Sequence, residues 1–144
     1  MPDMKFGISA IGQAPMQTTV TARSFTMIID EPLNLGGGDA GPNPVETMMA
    51  ALAGCLNVVG HIVAREMGFA LRDISIAIEG VLNPARFMGQ PSEDRAGFKE
   101  IRVTLRPAAD ADAATLTRWM HTVESRCPVS DNLSAATPVH VALG

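Results

Sequence analysis

The stretch NPVETMMAALAGCLNVVGHIVAREMG, Asn43 to Gly68, decides the fold. Asn43 is a good N-cap. Pro44 takes the first helical position, where its missing N–H costs nothing, and Glu46 completes a capping box. From Pro44 to about Met67 almost no charge interrupts the run until Arg65 and Glu66, and Gly68 supplies a C-terminal stop. About 24 residues at 1.5 Å each make a helix of roughly 36 Å. Being apolar nearly all round, it must be surrounded by protein. Ala50, Ala51, Ala53 and Gly54 form a small-residue stretch that lets another backbone approach closely. A chain of 144 residues, one domain by size, struggles to wrap such a helix alone, so a partner subunit is expected to help.

Upstream, Met4 to Ile11 and Thr18 to Ile29 alternate apolar and polar residues with β-branched enrichment, and each reads as a strand. Gln13-Ala14-Pro15 separates them, Asp30-Glu31-Pro32 ends the second, and Leu33 to Pro44 is a glycine- and proline-rich loop. Gly36-Gly37-Gly38 is not followed by the GK[ST] of a phosphate-binding loop. Downstream, Leu71 to Leu82 and Phe98 to Pro107 read as a second antiparallel pair, with an exposed loop at Asn83 to Gly97. Ala109 to Cys127 is an amphipathic helix with Leu116, Trp119, Met120 and Val123 at helical spacing. A short helix from Pro128 and a last strand, Pro138 to Leu143, finish a single α+β domain over residues 1–144.

Composition narrows the function. The net charge of −4 gives no basic stripe for nucleic acid. No run of eighteen apolar residues occurs, which argues against a membrane span. Met1 to Phe6 carries charged residues and no apolar core, so it does not read as a secretory signal, and the cytoplasm is the expected compartment. Nine methionines against 4% aromatic residues make a soft, adaptable core.

Two cysteines stand 72 positions apart, too far for a CxxC motif. In a reducing compartment they are either two inert buried thiols or a long-range redox couple. Cys55 lies mid-helix among apolar neighbours, and burial of that kind raises a thiol pKa. Glu46, nine residues earlier, falls on nearly the opposite azimuth of the helix. Cys127 precedes Pro128 and reads as the N-cap of the short helix; the helix start and adjacent Arg126 would both favour its thiolate. As a passive cap it would serve structure alone. His61, His121 and His140 fit no zinc spacing with the thiols, so neither a metal nor another cofactor is expected.

The segments GPNPVETMMAALAGCLNVV (Gly41–Val59) and CPVSDNLSAATPVHVAL (Cys127–Leu143) together resemble the OsmC/Ohr family, named for osmotically inducible protein C and organic hydroperoxide resistance. The order of strands and helices follows that family over essentially the whole chain. The resemblance implies an intertwined homodimer in which antiparallel sheets surround paired central helices. It implies a thiol peroxidase acting on organic hydroperoxides, such as alkyl or lipid peroxides. Cys55 would be oxidised to a sulfenic acid, Cys127 would condense with it to a disulfide, and an external dithiol would reduce the product. Peroxidase members pair a glutamate ten positions before the first cysteine with an N-terminal arginine, both serving the thiolate. Here Val45 stands at that position and Glu46 one later, and no arginine precedes Arg23, which falls inside the second expected strand. Glu46 and Arg23 are the candidates for those roles. The rival reading is a non-catalytic dimer that binds a small apolar or acyl ligand at the subunit interface, its cysteines merely lining the pocket.

Overall fold

A computed structural model describes residues 1–144 as two compact units, Met1–Ala50 and Ala51–Gly144. In the first, β1 (Ser9–Gly12), β2 (Thr18–Ala22) and β3 (Phe25–Ile29) form an antiparallel sheet in the order β1-β2-β3. The expected strand Thr18–Ile29 is therefore a hairpin. Thr18 pairs with Ile29 and Ala22 with Phe25, leaving Arg23-Ser24 as a two-residue reversal. Arg23 takes a φ of 57° there, the left-handed backbone that tight hairpins demand. It occupies a turn, not a strand interior, and its guanidinium lies 5.0 Å over the Phe25 ring. The first expected strand shortens to Ser9–Gly12, because β2 offers partners only to those residues.

After β3, buried Asp30 organises the glycine loop. Its carboxylate accepts hydrogen bonds from the backbone N–H groups of Glu31 (2.8 Å), Gly38 (3.0 Å) and Ala40 (3.2 Å). Burial raises the Asp30 pKa most, but the three donors together outweigh it and hold the carboxyl below the usual aspartate value. The loop passes so close that a Cβ on Gly37 would lie 1.9 Å from the Glu31 carbonyl oxygen. The glycine triplet thus serves a carboxylate-pinned strap. Leu33–Leu35 within it form a 3₁₀ turn.

Helix α1 spans Pro44–Glu66. Its capping box forms as the sequence indicates: Glu46 N–H donates to Asn43 Oδ1 at 2.9 Å, and Asn43 N–H donates to Glu46 Oε2 at 2.8 Å. The C-terminus closes with Gly68 at φ 77°. Gly68 N–H reaches the Arg65 carbonyl at 3.2 Å and Phe69 N–H the Ala64 carbonyl at 3.1 Å, the paired bonds of a Schellman cap. By length and mean hydropathy α1 could cross a membrane, although its polar residues leave no unbroken apolar run of eighteen. Instead, Leu52, Leu56, Val59, Gly60, Val63 and Ala64 make one face that is buried in protein. The other face, with Gly54, Val58 and Ile62, is exposed within a single chain.

The second unit packs that buried face. Strands β4 (Leu71–Val81) and β5 (Glu100–Ala109) pair antiparallel, and alternation sends Ile74, Ile76 and Ile78 of β4, with Ile101 and Leu105 of β5, against the core. Helix α2 (Ala113–Arg126) is capped by Asp112, whose side chain accepts from Thr115 N–H at 2.7 Å. It contributes fully buried Trp119 and Val123, and the Trp119 indole N–H donates to the Gly60 carbonyl at 2.9 Å. Helix α3 (Pro128–Ser134) follows directly. The expected final strand, Pro138–Leu143, does not form: a strand needs a neighbour, and no strand of this chain pairs with it. Val139, Val141 and Leu143 are left exposed.

Candidate active site

Cys55 and Cys127 come together at the core of the second unit, near enough for one thiol to act on the other. Cys55 comes from the middle of α1 and is half-buried; Cys127 sits at the α2–α3 junction and is only 1% exposed. Cys127 belongs to a core with Leu52, Leu56, Val59, Val63, Ala64, Trp119 and Val123, and Cys55 packs against that core. Local sequence explains the position of Cys127. Pro128 cannot continue α2 but starts a new helix well, which leaves Cys127 in extended backbone (φ −82°, ψ 109°) as the last cap of one helix and the first cap of the next. Its N–H donates to the Glu124 carbonyl at 3.4 Å, and its Sγ accepts from Ser130 N–H at 3.4 Å.

The electrostatics of Cys127 differ from what its place in the sequence suggests. Burial, the largest influence, pushes its thiol pKa up; the Ser130 N–H opposes this, and the facing Cys55 thiol adds to the rise. Arg126 does not serve the sulfur. It makes a bidentate ion pair with Glu66 near the end of α1, through Nη1 to Oε2 and through Nη2 to Oε1 at 3.1 Å. The pair holds the Glu66 carboxyl below its ordinary value and raises the Arg126 guanidinium. Two expectations are thereby corrected: Cys127 is the more buried thiol and rests protonated, whereas Cys55 is the more accessible one.

The other candidates lie in the first unit. Arg23 occupies the exposed hairpin turn over Phe25, and Glu46 is engaged in the α1 cap. Glu66 and Ser130 were not legible as site residues. A signal existed for Glu66: eleven residues after Cys55, it returns to within about 20° of the same azimuth of a 3.6-residue helix. No group of three or more histidine, cysteine, aspartate or glutamate side chains converges as metal ligands would.

A family model described as OsmC-like protein matches residues 36–142, both cysteines included. The chain belongs to the OsmC-like family. Solved structures of OsmC/Ohr proteins share its fold. The OsmC-like protein of Mycoplasma pneumoniae superimposes with a TM-score of 0.80 at 18% identity, over 92% of this chain and 89% of that one. The organic hydroperoxide resistance protein OsmC of Legionella pneumophila gives 0.67 at 21% identity, over 92% and 91%. An organic hydroperoxide resistance protein of Elizabethkingia anophelis gives 0.58 at 16% identity, over 91% and 89%. At these identities the likeness establishes the α+β OsmC/Ohr fold, with its antiparallel sheets and helices, and nothing finer. No curated protein sequence matches the chain.

Proposed function

We propose that this OsmC-like chain is a thiol peroxidase that reduces organic hydroperoxides with Cys55 and Cys127 as its redox couple. The observation that carries the reading is the thiol pair itself: two cysteines 72 residues apart in sequence come together at one apolar core, near enough for the Cys55 thiol to act on that of Cys127. Chance packing of inert thiols does not require that they meet. The hydroperoxide-resistance names of structural neighbours agree in kind. An apolar surround suits alkyl or lipid hydroperoxides better than hydrogen peroxide.

In the first step the Cys55 thiolate attacks the terminal peroxide oxygen. The S–O bond forms, the O–O bond breaks, and the alkoxide leaves as an alcohol after taking a proton; Cys55 becomes a sulfenic acid. In the second, Cys127 sulfur attacks Cys55 sulfur. The S–S bond forms, the S–O bond breaks, and the Cys127 proton leaves with the hydroxide as water. The Cys127 thiol gives up its proton as its sulfur attacks, and the leaving hydroxide takes that proton up. An external dithiol then reduces the disulfide by exchange, in a reducing compartment such as the cytoplasm.

We further infer that the working unit is a homodimer. Gly54, Val58 and Ile62 recur every four residues on the exposed face of α1, and Val58 is 58% exposed in the single chain. Such a face on an apolar helix fits close packing against a second copy. The rival binding reading draws support from Glu46 and Arg23, the candidates for serving the thiolate, since the first is engaged in the α1 cap and the second lies over Phe25. Peroxide consumption separates the two readings. With both thiols reduced and dithiol supplied, the wild type should consume cumene hydroperoxide and Cys55→Ser should not. A wild type that consumes none would overturn the peroxidase reading in favour of ligand binding.

A further inference from the structure

The bidentate pair between Glu66 and Arg126 lies on the same two elements as the thiols. Glu66 shares α1 with Cys55 and nearly its azimuth, about 16 Å further along the axis. Arg126 is the residue before Cys127 and the last of α2. Beyond Cys127 the chain has little to hold it in place: α3 has no fully buried residue and offers the core only the half-buried Val129 and Leu133. The α2–α3 junction is thus held by Val123 and Cys127 in the core and by the pairing of Arg126 with Glu66 at the surface.

We propose that Glu66 and Arg126 are positioning residues for the redox couple, their ion pair holding the α2–α3 junction in the register that turns Cys127 Sγ toward Cys55. The inference deepens the thiol-couple reading and rests on it. Its physical content is preorganisation. An ion pair that restricts the reduced protein to the geometry of the disulfide removes part of the ordering cost of closing it. A pair that only stabilised the fold would act equally on both redox states and leave their equilibrium unchanged.

The test equilibrates the full-length protein with mixtures of reduced and oxidised dithiothreitol, then alkylates free thiols and reads the Cys55–Cys127 disulfide by mass. Glu66→Gln and Arg126→Gln should each lower the disulfide formation constant roughly two- to fivefold, the reach of an exposed pair with good geometry. The charge-swapped double variant Glu66→Arg/Arg126→Glu should recover most of the loss. High salt should bring the wild type toward Glu66→Gln, since the pair is half exposed. Unchanged redox equilibria in the single variants, even with lower melting temperatures, would make the pair merely structural and overturn the proposal. A wild type that forms no Cys55–Cys127 disulfide in this buffer would overturn the proposal and the couple together. If the equilibrium shifts as expected but peroxide is not consumed, the positioning role stands and only the peroxidase reading fails.

Discussion

Adding one methyl group at Gly60 sets two effects of known size against each other. In an open helix, Gly→Ala gains about 1 kcal/mol from reduced backbone entropy and better propensity. Gly60 is not open: a Cβ built there would lie 2.7 Å from Ile74 Cδ1 and 3.1 Å from Trp119 Cζ2. Ile74 can swing its terminal methyl away, but Trp119 cannot retreat without loosening its 2.9 Å hydrogen bond to the Gly60 carbonyl, itself worth about 1 kcal/mol. Overpacking of this kind costs about 1–3 kcal/mol. The two effects sum to a net destabilisation of about 1 kcal/mol for Gly60→Ala. The collision with Cδ1 also has a specific remedy. Ile74→Val removes that carbon and should cost about 0.5–1.5 kcal/mol alone, but close to nothing in the Gly60→Ala background. Urea unfolding of both single variants, the double variant and the wild type at one protein concentration gives the cycle. Stabilisation by Gly60→Ala, or strictly additive changes, would refute the account of how α1, β4 and α2 pack.

Three further outcomes are expected. Gly54→Arg and Val58→Arg, on the exposed face of α1, should each convert a sedimenting dimer into a folded monomer; a wild type that already sediments as a monomer at micromolar concentration contradicts the homodimer. Cys127 has a folded-state pKa raised above its ordinary 9.0, so the native state retains a proton that the unfolded chain releases. Its contribution is full below that value and is lost as pH rises through the folded pKa; the wild type should therefore lose stability above about pH 9 more steeply than Cys127→Ala, and parallel profiles would refute the assignment. Glu46→Gln should keep the cap and change unfolding free energy by less than about 1 kcal/mol, because glutamine also serves a capping box. If peroxide turnover is equally unchanged, the cap is the whole of Glu46's role.

How much of this was legible in the sequence follows from how local each signal is. Helix α1 announces both its ends in residues that touch only their near neighbours, Asn43 with Glu46 and Gly68 with Arg65. The β2–β3 hairpin hides because Arg23-Ser24 contains neither the glycine nor the asparagine that usually marks such a reversal, so the alternation from Thr18 to Ile29 reads as unbroken. Pro138–Leu143 alternates well, yet a strand is a property of two segments and pattern reports only one. The thiols were legible as candidates from type and context. The protonation of Cys127 was not, because it depends on burial and because the partner of Arg126 lies 60 residues away at Glu66.

The central claim is that Cys55 and Cys127 form one redox couple driven by organic hydroperoxide. Mass spectrometry of both thiols, after one equivalent of cumene hydroperoxide is added to the fully reduced protein, tests it directly. The account predicts a single intrachain Cys55–Cys127 disulfide, reversed by dithiol, and in Cys127→Ser a sulfenic or over-oxidised Cys55. Two thiols still reduced beside unconsumed peroxide would contradict it.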